Sequence, residues 1–274
     1  MPVSTRLAVM PGSAVSAARK VVCGLLDLIF PDDCRVCQQP LHELSRIPVC
    51  SSCLATPELF QAEFYCVACR TPFVNAAPLD EHGLCSLCRL GVNGFEEVYA
   101  FGAYEGTLRK LIHAFKFEGV QTLSRPLGRF LAQVLPRDLA FDLIVPMPLH
   151  WRRRWQRGFN QAELLAREIA RRWNAPVERV VRRKKATAPQ AGLTSAQRRK
   201  NVSGAFEVKR GKRLDGKRVL LIDDVLTTGA TASACARALK RAGAAHVTLL
   251  TLARRDRRAP IEFAITAASA GSGS

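Results

Sequence analysis

The stretch VLLIDDVLTTGAT, residues 219–231, places two adjacent carboxylates directly after four apolar residues. A loop of small residues follows the acids and leads into a predicted helix. Small residues let backbone N–H groups approach a phosphate closely, and a helix N-terminus adds partial positive charge. Carboxylates repel a phosphate but accept hydrogen bonds from the neutral hydroxyls of a ribose. The pattern therefore predicts a site for a ribose 5-phosphate.

Each part of this predicted site has its own residues. The ribose hydroxyls are assigned to Asp223 and Asp224, and the 5-phosphate to Thr227, Thr228, Gly229, Ala230 and Thr231. The spacing does not fit the GxxxxGK loop of nucleoside triphosphatases. An Asp-Asp turn that only caps the following helix is the structural alternative.

Eight of the ten cysteines form four CxxC pairs within residues 34–88. A two-residue spacer lets both thiolates of a pair face one tetrahedral ion, and a second pair completes four sulfurs. We predict two structural zinc ions, because a complete set of four sulfurs leaves no open position for a substrate. Disulfides and redox-active CxxC sites are the alternatives. The predicted ligands are Cys34, Cys37, Cys50, Cys53, Cys66, Cys69, Cys85 and Cys88.

The pairing of these four CxxC motifs stays open at this point. The simple arrangement joins the first motif to the second and the third to the fourth, and an interleaved arrangement is the alternative. Cys23 and Cys235 remain outside the motifs, and Cys235 is predicted to be a small core residue of a helix.

The charge is strongly positive and unevenly distributed. The formal net charge is +18, and residues 151–213 contain 19 lysines and arginines against four acids. Such a concentration indicates a polyanionic ligand, either a phosphorylated metabolite or nucleic acid. Trp151, Trp155 and Phe159 lie in the same region and add stacking surface of the kind that single-strand binders use.

The second half alternates apolar runs with helical patterns. Strands are predicted at 95–104, 141–148, 218–223 and 246–254, with short strands in ERVVRR and SGAFEV. Helices are predicted at 106–117, at about 120–135 with a break near Pro126, and at 230–242. A further helix is predicted to begin at Asn160, with Glu163 completing a capping box. Strand runs without polar alternation, separated by helices, indicate a parallel sheet covered on both faces. Ligands of such sheets bind beyond the carboxyl ends of the strands, where the two acids are expected.

No run approaches 18 apolar residues, so no membrane span is expected and the cytoplasm is the expected location. Residues 15–29 predict an amphipathic helix that packs on the rest of the protein, and a helix that lies on a membrane surface is the alternative.

Several motifs resemble a known family. VLLIDDVLTTGAT resembles the phosphoribosyl pyrophosphate (PRPP) signature of type I phosphoribosyltransferases. The segments 145–166, 187–206 and LIHAFKF at 111–117 are similar to the ComF family of competence-associated, phosphoribosyltransferase-like proteins. That family also carries a cysteine-rich double zinc ribbon before the transferase domain. The likeness covers roughly residues 25–255.

The resemblance implies a domain order and a fold. An N-terminal helix or leader (1–30) precedes a double zinc ribbon (31–92), a phosphoribosyltransferase domain (93–260) and a flexible tail (261–274). The expected fold class is α/β, with the Rossmann-like parallel sheet of type I phosphoribosyltransferases behind the zinc ribbons.

The resemblance also implies further site residues. Pyrophosphate would be bound after the 141–147 strand by Arg152, Arg157, Gly158 and Asn160. The stretch 184–201 matches a flexible loop that closes over the reaction centre, with Lys185, Gln190, Arg198 and Asn201 contributing. The catalytic roles fall on Asp223, Asp224, Lys185 and Arg157.

The implied activity is transfer of ribose 5-phosphate from PRPP to a nitrogenous acceptor, with Mg²⁺ and release of pyrophosphate. The alternative is a catalytically weak factor of the DNA-uptake machinery that keeps the fold and binds single-stranded DNA or docks on partner proteins. No segment of the sequence indicates a hood that recognises a base, so the acceptor is not indicated.

Overall fold

A computed structural model describes residues 33–41, 46–76, 78–184 and 204–255. Several sequence predictions lie outside these residues. They are the N-terminal helix, the C-terminal tail, Cys23 and the closing-loop residues Lys185, Gln190, Arg198 and Asn201.

The described cysteine-rich part contains short elements only. They are α1 (Ser51–Ala55), β1 (Phe64–Tyr65), β2 (Pro72–Phe73) and α2 (Ser86–Arg89). The strands β1 and β2 pair antiparallel. Cysteines occupy the N-cap positions of both helices, and the Cys50 sulfur accepts a hydrogen bond from the N–H of Cys53. The second and fourth CxxC motifs therefore each begin a short helix.

The rest of the described chain alternates strands and helices. The strands are β3 (Glu97–Ala103), β4 (Leu143–Pro146), β5 (Val181–Arg183), β6 (Phe206–Val208), β7 (Arg218–Leu226) and β8 (His246–Arg254). The helices are α3 (Gly106–Phe117), α4 (Ser124–Val134), α5 (Trp151–Arg157), α6 (Gln161–Trp173) and α7 (Ala230–Arg241), with a 3₁₀ turn at Gln121–Leu123.

Four strands form one parallel sheet in the order β3-β8-β7-β4, which confirms the predicted fold class. The strands β5 and β6 form a separate antiparallel pair. Residues 219–222 of β7 are all buried, because helices cover both faces of the sheet.

Each face of the sheet has its own apolar core. Leu220 and Ile222 pack with buried residues of α3, α4 and α6, whereas Val219 and Leu221 pack with α7 and the β5–β6 pair. The first two CxxC motifs join the α3 side, since Cys34 and Cys53 belong to that core; the last two motifs join the α7 side. The cysteine-rich part therefore contacts both faces of the sheet.

The predicted end of the 218–223 strand is wrong. The strand β7 runs to Leu226, because its pairing with β8 continues to the partners Leu226 and Arg254. On the other side the pairing with β4 stops at Ile222, which faces Pro146. Asp223 and Asp224 therefore lie beyond the end of the pairing with β4, in a part of β7 that still pairs with β8.

Two local predictions can be compared with the structure. The segment 120–135 is divided near Pro126 into the 3₁₀ turn Gln121–Leu123 and α4, and Pro126 lies in the first turn of α4, where an N–H would have no partner within the helix. Asn160 caps α6 as predicted, with its Oδ1 3.1 Å from the N–H of Ala162. Glu163 forms no capping box, because its carboxylate instead accepts hydrogen bonds from Arg167 and Arg179.

Among the helices of the described residues, none combines the length and the apolar character that crossing a bilayer requires.

Candidate functional site

Asp224 is held by an ion pair with a helix of the α3 side. Its Oδ1 accepts a hydrogen bond from Lys116 Nζ at 2.8 Å, and both side chains are largely buried. Lys116 occupies the last turn of α3, next to the buried residue Phe115. The apolar face of α3 thus fixes the helix on the sheet and directs this lysine to the end of β7.

Asp223 lies on the other face of the sheet. Burial raises the pKa of the Cys235 thiol on α7, and the negative charge of Asp223 raises it further. Burial and the neighbouring charge of Asp224 raise the pKa of Asp223 itself to about 7, while Lys116 and Arg183 act in the opposite direction. Adjacent strand residues point to opposite faces, and the two acids are therefore divergent. Asp223 is half-buried, and its Oδ1 accepts a hydrogen bond from the N–H of Asp224 at 2.9 Å.

Arginines lie within electrostatic reach of the two acids. Burial lowers the pKa of Arg157, while the negative charge of Asp224 raises it. Burial likewise lowers the pKa of Arg183, and the negative charge of Asp223 raises it. The charge of Arg153 reaches both arginines and lowers both pKa values. The guanidinium of Arg157 also lies over the ring of Phe117, 4.8 Å from its centroid. We call Lys116, Arg153, Arg157, Arg183, Asp223 and Asp224 the acid–base cluster.

This cluster contains four basic and two acidic side chains, and it lies at the carboxyl end of a parallel sheet. Because the basic side chains outnumber the acids, the cluster favours an anionic ligand. The acids add oxygen acceptors for hydroxyl groups or a cation. The chemistry of the cluster matches a ligand that carries both phosphate and hydroxyl groups.

The predicted phosphate loop follows directly. Gly229 has φ +73° and ψ −4° and caps the 12-residue helix α7 without a side-chain hydrogen bond. A side chain on this residue would be strained, because this backbone conformation is the left-handed one. The N–H of Ala230 is 3.5 Å from Thr228 Oγ1, and the carbonyl of Thr227 accepts a hydrogen bond from Arg254 at 3.2 Å. The loop 227–229 therefore presents backbone and hydroxyl groups beside the acids.

The structure places the four residues assigned to pyrophosphate in different surroundings. Only Arg157 joins the acid–base cluster. Arg152 is exposed and lies over the ring of Trp151, 5.3 Å from its centroid. Gly158 ends α5 in the left-handed conformation. Asn160 is buried, and its side chain bonds to the backbone of Met147 and Ala162, so it orders the start of α6.

Lys116, Arg153 and Arg183 belong to the acid–base cluster, although the sequence motifs did not indicate them. Lys116 lies within LIHAFKF, a segment notable only for its family likeness, and is 108 residues from its partner Asp224. The sequence feature that could have indicated Lys116 is its position as a basic residue at the border of the apolar face of the predicted helix 106–117. Arg183 lies in a basic run without a local feature that distinguishes it from its neighbours.

The eight cysteines form two groups of four. The sulfurs of Cys34, Cys37, Cys50 and Cys53 all lie within 4.8 Å of one another, and so do those of Cys66, Cys69, Cys85 and Cys88. The structure therefore joins the first motif to the second and the third to the fourth. We call these groups the first and the second cysteine unit.

The geometry of both units fits zinc. Sulfurs about 2.3 Å from a tetrahedral zinc lie about 3.8 Å apart. The Cys37–Cys50 and Cys69–Cys85 sulfur pairs are separated by 3.8 and 3.7 Å. Backbone N–H groups also point at sulfurs, as from Cys85 to Cys66 at 3.3 Å, which stabilises thiolate charge. The donor set is thus compatible with one structural zinc ion in each unit.

Comparisons with known proteins agree with this architecture. The family model described as phosphoribosyl transferase domain matches residues 157–265. Competence protein F of Haemophilus influenzae is 31% identical over 81% of this chain and 96% of its own length. The DNA utilization protein YhgH of Escherichia coli K12 is 31% identical over 83% of this chain and 99% of its own length.

One solved structure is similar over part of the chain. Glutamine PRPP amidotransferase from B. subtilis matches 47% of this chain with a TM-score of 0.33 and 22% identity, and the match spans 26% of that longer protein.

Proposed function

Because this chain belongs to the ComF family of competence proteins and carries a phosphoribosyl transferase domain, we propose that it binds PRPP with Mg²⁺ at the acid–base cluster. We further propose that it transfers ribose 5-phosphate to a nitrogenous acceptor and releases pyrophosphate. The observation that supports this most directly is the position of Asp223 and Asp224 at the carboxyl end of a parallel sheet, where Lys116 forms an ion pair with Asp224. The charges of Arg157 and Arg183 also act on this pair of acids.

Each part of PRPP has a chemically suitable partner in this proposal. The acids accept hydrogen bonds from the ribose hydroxyls, the loop 227–229 and the start of α7 bind the 5-phosphate, and Arg157 faces the pyrophosphate. Asp224 is already paired with Lys116. Asp223 is therefore the carboxylate that is available to a divalent cation, and Mg²⁺ is commonly held by one or two carboxylates together with substrate phosphates.

The proposed reaction is a displacement at C1 of the ribose. The C1–O bond to pyrophosphate breaks, a C1–N bond to the acceptor forms, and the acceptor nitrogen releases its proton to solvent. Mg²⁺, when bound with the substrate, neutralises part of the phosphate charge. Arg157 stabilises the charge that develops on the departing pyrophosphate, and Asp224 keeps its position through Lys116. No covalent intermediate on the protein is needed.

Isothermal titration calorimetry tests the binding step. Wild-type protein should bind PRPP in the presence of Mg²⁺ and much more weakly with EDTA, and the double variant Asp223→Asn/Asp224→Asn should lose at least tenfold in affinity. Asp215→Asn, which removes an exposed carboxylate that pairs with Arg213, is the matched control and should bind normally. Unchanged affinity in the double variant would refute the assignment of the acids.

Turnover needs a separate assay. Pyrophosphate release from PRPP should be screened against bases and amines, with and without single-stranded DNA. Release that depends on one acceptor class identifies the substrate. Binding without release for any acceptor leaves PRPP as a regulatory ligand and refutes the transferase part of the proposal.

A second candidate function is binding of single-stranded DNA on the helix α5. Trp151 and Trp155 are four residues apart, so they lie on one side of this helix, and 64% and 85% of their surfaces are exposed. Arg152 and Arg154 are exposed on the same short helix. Exposed indole rings among arginines provide stacking and charge for a single strand. The names of the relatives, competence protein and DNA utilization protein, agree with this candidate.

Salt dependence distinguishes the two candidates. Binding of a long oligonucleotide should weaken steeply as salt is added. The variant Trp151→Ala/Trp155→Ala should reduce that affinity at least tenfold and leave PRPP affinity unchanged. If a long oligonucleotide binds no better than inorganic pyrophosphate, the DNA-binding candidate fails.

A further inference from the structure

The second cysteine unit packs directly against the loop 227–229. Leu87 lies on α2 between the ligand positions Cys85 and Cys88, and it is only 5% exposed. A Cβ atom at Gly229 would lie 2.6 Å from Leu87 Cδ1. The leucine therefore fills the space where any other residue at position 229 would place its side chain, and it supports the loop from behind.

A buried arginine makes a second connection between the same two parts. Arg254, at the end of β8, donates one hydrogen bond to the carbonyl of Thr227 at 3.2 Å and another to the carbonyl of Pro72 at 3.0 Å. Its guanidinium lies 4.4 Å from the centroid of Phe73. Pro72 and Phe73 form β2, between the third and fourth CxxC motifs. The loop is thus attached to the second cysteine unit at both ends, at Thr227 and at Gly229.

The first cysteine unit makes different contacts. Its residues Cys34, Val36 and Cys53 belong to the core of the α3 side. Lys110 of α3 donates a hydrogen bond to the carbonyl of Val36 at 3.3 Å. The first unit thus packs on the opposite face of the sheet from α7 and Leu87. The two units therefore provide an internal comparison.

We propose that Leu87 and Arg254 are positioning residues, through which the second cysteine unit holds the loop 227–229 in its phosphate-binding conformation. The proposal rests on the proposed function for the identity of the ligand. A short cysteine-rich unit keeps its fold only while metal joins its thiolates, so the support of the loop depends on metal in the second unit. The coupling is reciprocal, and ligand on the loop should slow the loss of metal from this unit.

Hydrogen exchange tests the coupling without any ligand. In Leu87→Ala, amides of residues 226–233 should exchange about tenfold faster than in wild type, because the side chain behind the loop is lost. Leu90→Ala is the matched control, since Leu90 lies next to α2 but is 50% exposed. Equal exchange in the two variants would overturn the proposal.

Metal ligands provide a second pair of variants. Cys88→Ser removes one ligand of the second unit and should accelerate exchange in 226–233, whereas Cys37→Ser removes one ligand of the first unit and should accelerate exchange in α3 instead. Zinc content is measured on the same samples. Acceleration of the loop by Cys37→Ser to the same extent as by Cys88→Ser would indicate general unfolding and overturn the proposal.

Ligand titrations separate positioning from general destabilisation. Leu87→Ala should weaken ribose 5-phosphate and PRPP about tenfold and leave inorganic pyrophosphate affinity unchanged, because pyrophosphate does not use the loop. An equal loss for all three ligands would contradict a positioning role. If wild-type protein binds neither PRPP nor ribose 5-phosphate, the proposed function fails, while the exchange comparison still decides whether the coupling exists.

Discussion

Lys116 Nζ and Asp224 Oδ1 lie 2.8 Å apart, joining α3 to the end of β7 across 108 residues of sequence. Both side chains are largely withdrawn from water, with 20% and 12% of their surfaces exposed. Each charge therefore depends on the other for compensation. The pair links a helix that contacts the first cysteine unit to the strand that carries both acids.

Removal of this lysine should destabilise the protein. Lys116→Met leaves the Asp224 carboxylate without its cation, and we expect a loss of about 2–3 kcal/mol in the free energy of unfolding, measured with urea. The double variant Lys116→Met/Asp224→Asn should recover most of the loss, because no unpaired charge remains. Lys217→Met, at an exposed position, is the control. If the double variant is as unstable as the single one, packing and not charge explains the effect.

Stability should depend on pH through Asp223. Burial and the charge of Asp224 raise the pKa of Asp223 to about 7, above its usual value near 4. Between these two values the folded state binds more protons than the unfolded state, so this group's contribution to stability decreases as pH rises from about 4 to about 7. The difference in unfolding free energy between wild type and Asp223→Asn should change over that window. A difference that is constant with pH would contradict the raised pKa.

Zinc content should follow the two groups of cysteines. Purified protein should contain two zinc ions per chain, and Cys34→Ser or Cys66→Ser should each lose about one of them. Cys235→Ser should keep both, because Cys235 is buried on α7 and belongs to neither group. Metal analysis of purified variants measures this. Retention of two ions in both ligand variants would contradict the assignment.

Gly229 should tolerate substitution less than another glycine of the same backbone conformation. Gly211 has φ +79° with open space around its missing side chain, whereas a Cβ at Gly229 would contact Leu87. Gly211→Ala should cost about 1–2 kcal/mol from the left-handed backbone alone. Gly229→Ala should cost about 1–3 kcal/mol more because of overpacking. Equal losses in thermal or urea unfolding would show that Leu87 moves away without cost.

Local patterns in the sequence predicted most of the elements. The helix 106–117 and the strand 246–254 have the bounds that apolar spacing predicts, because each is stabilised by one continuous apolar surface. The end of β7 was predicted too early, since two carboxylates resemble a loop in sequence. Pairing with β8 extends the strand through them, and that pairing is not a local property.

The sequence by itself determined the parallel sheet, the family resemblance and the four CxxC motifs, because each depends on residue type and short spacing. Tertiary structure alone decided which CxxC motifs join, that Lys116 pairs with Asp224, that the two acids diverge to opposite faces, and that Leu87 packs against Gly229. These relationships join residues far apart in the chain. They depend on how helices and cysteine units pack against the sheet, and no local pattern of side chains encodes that packing.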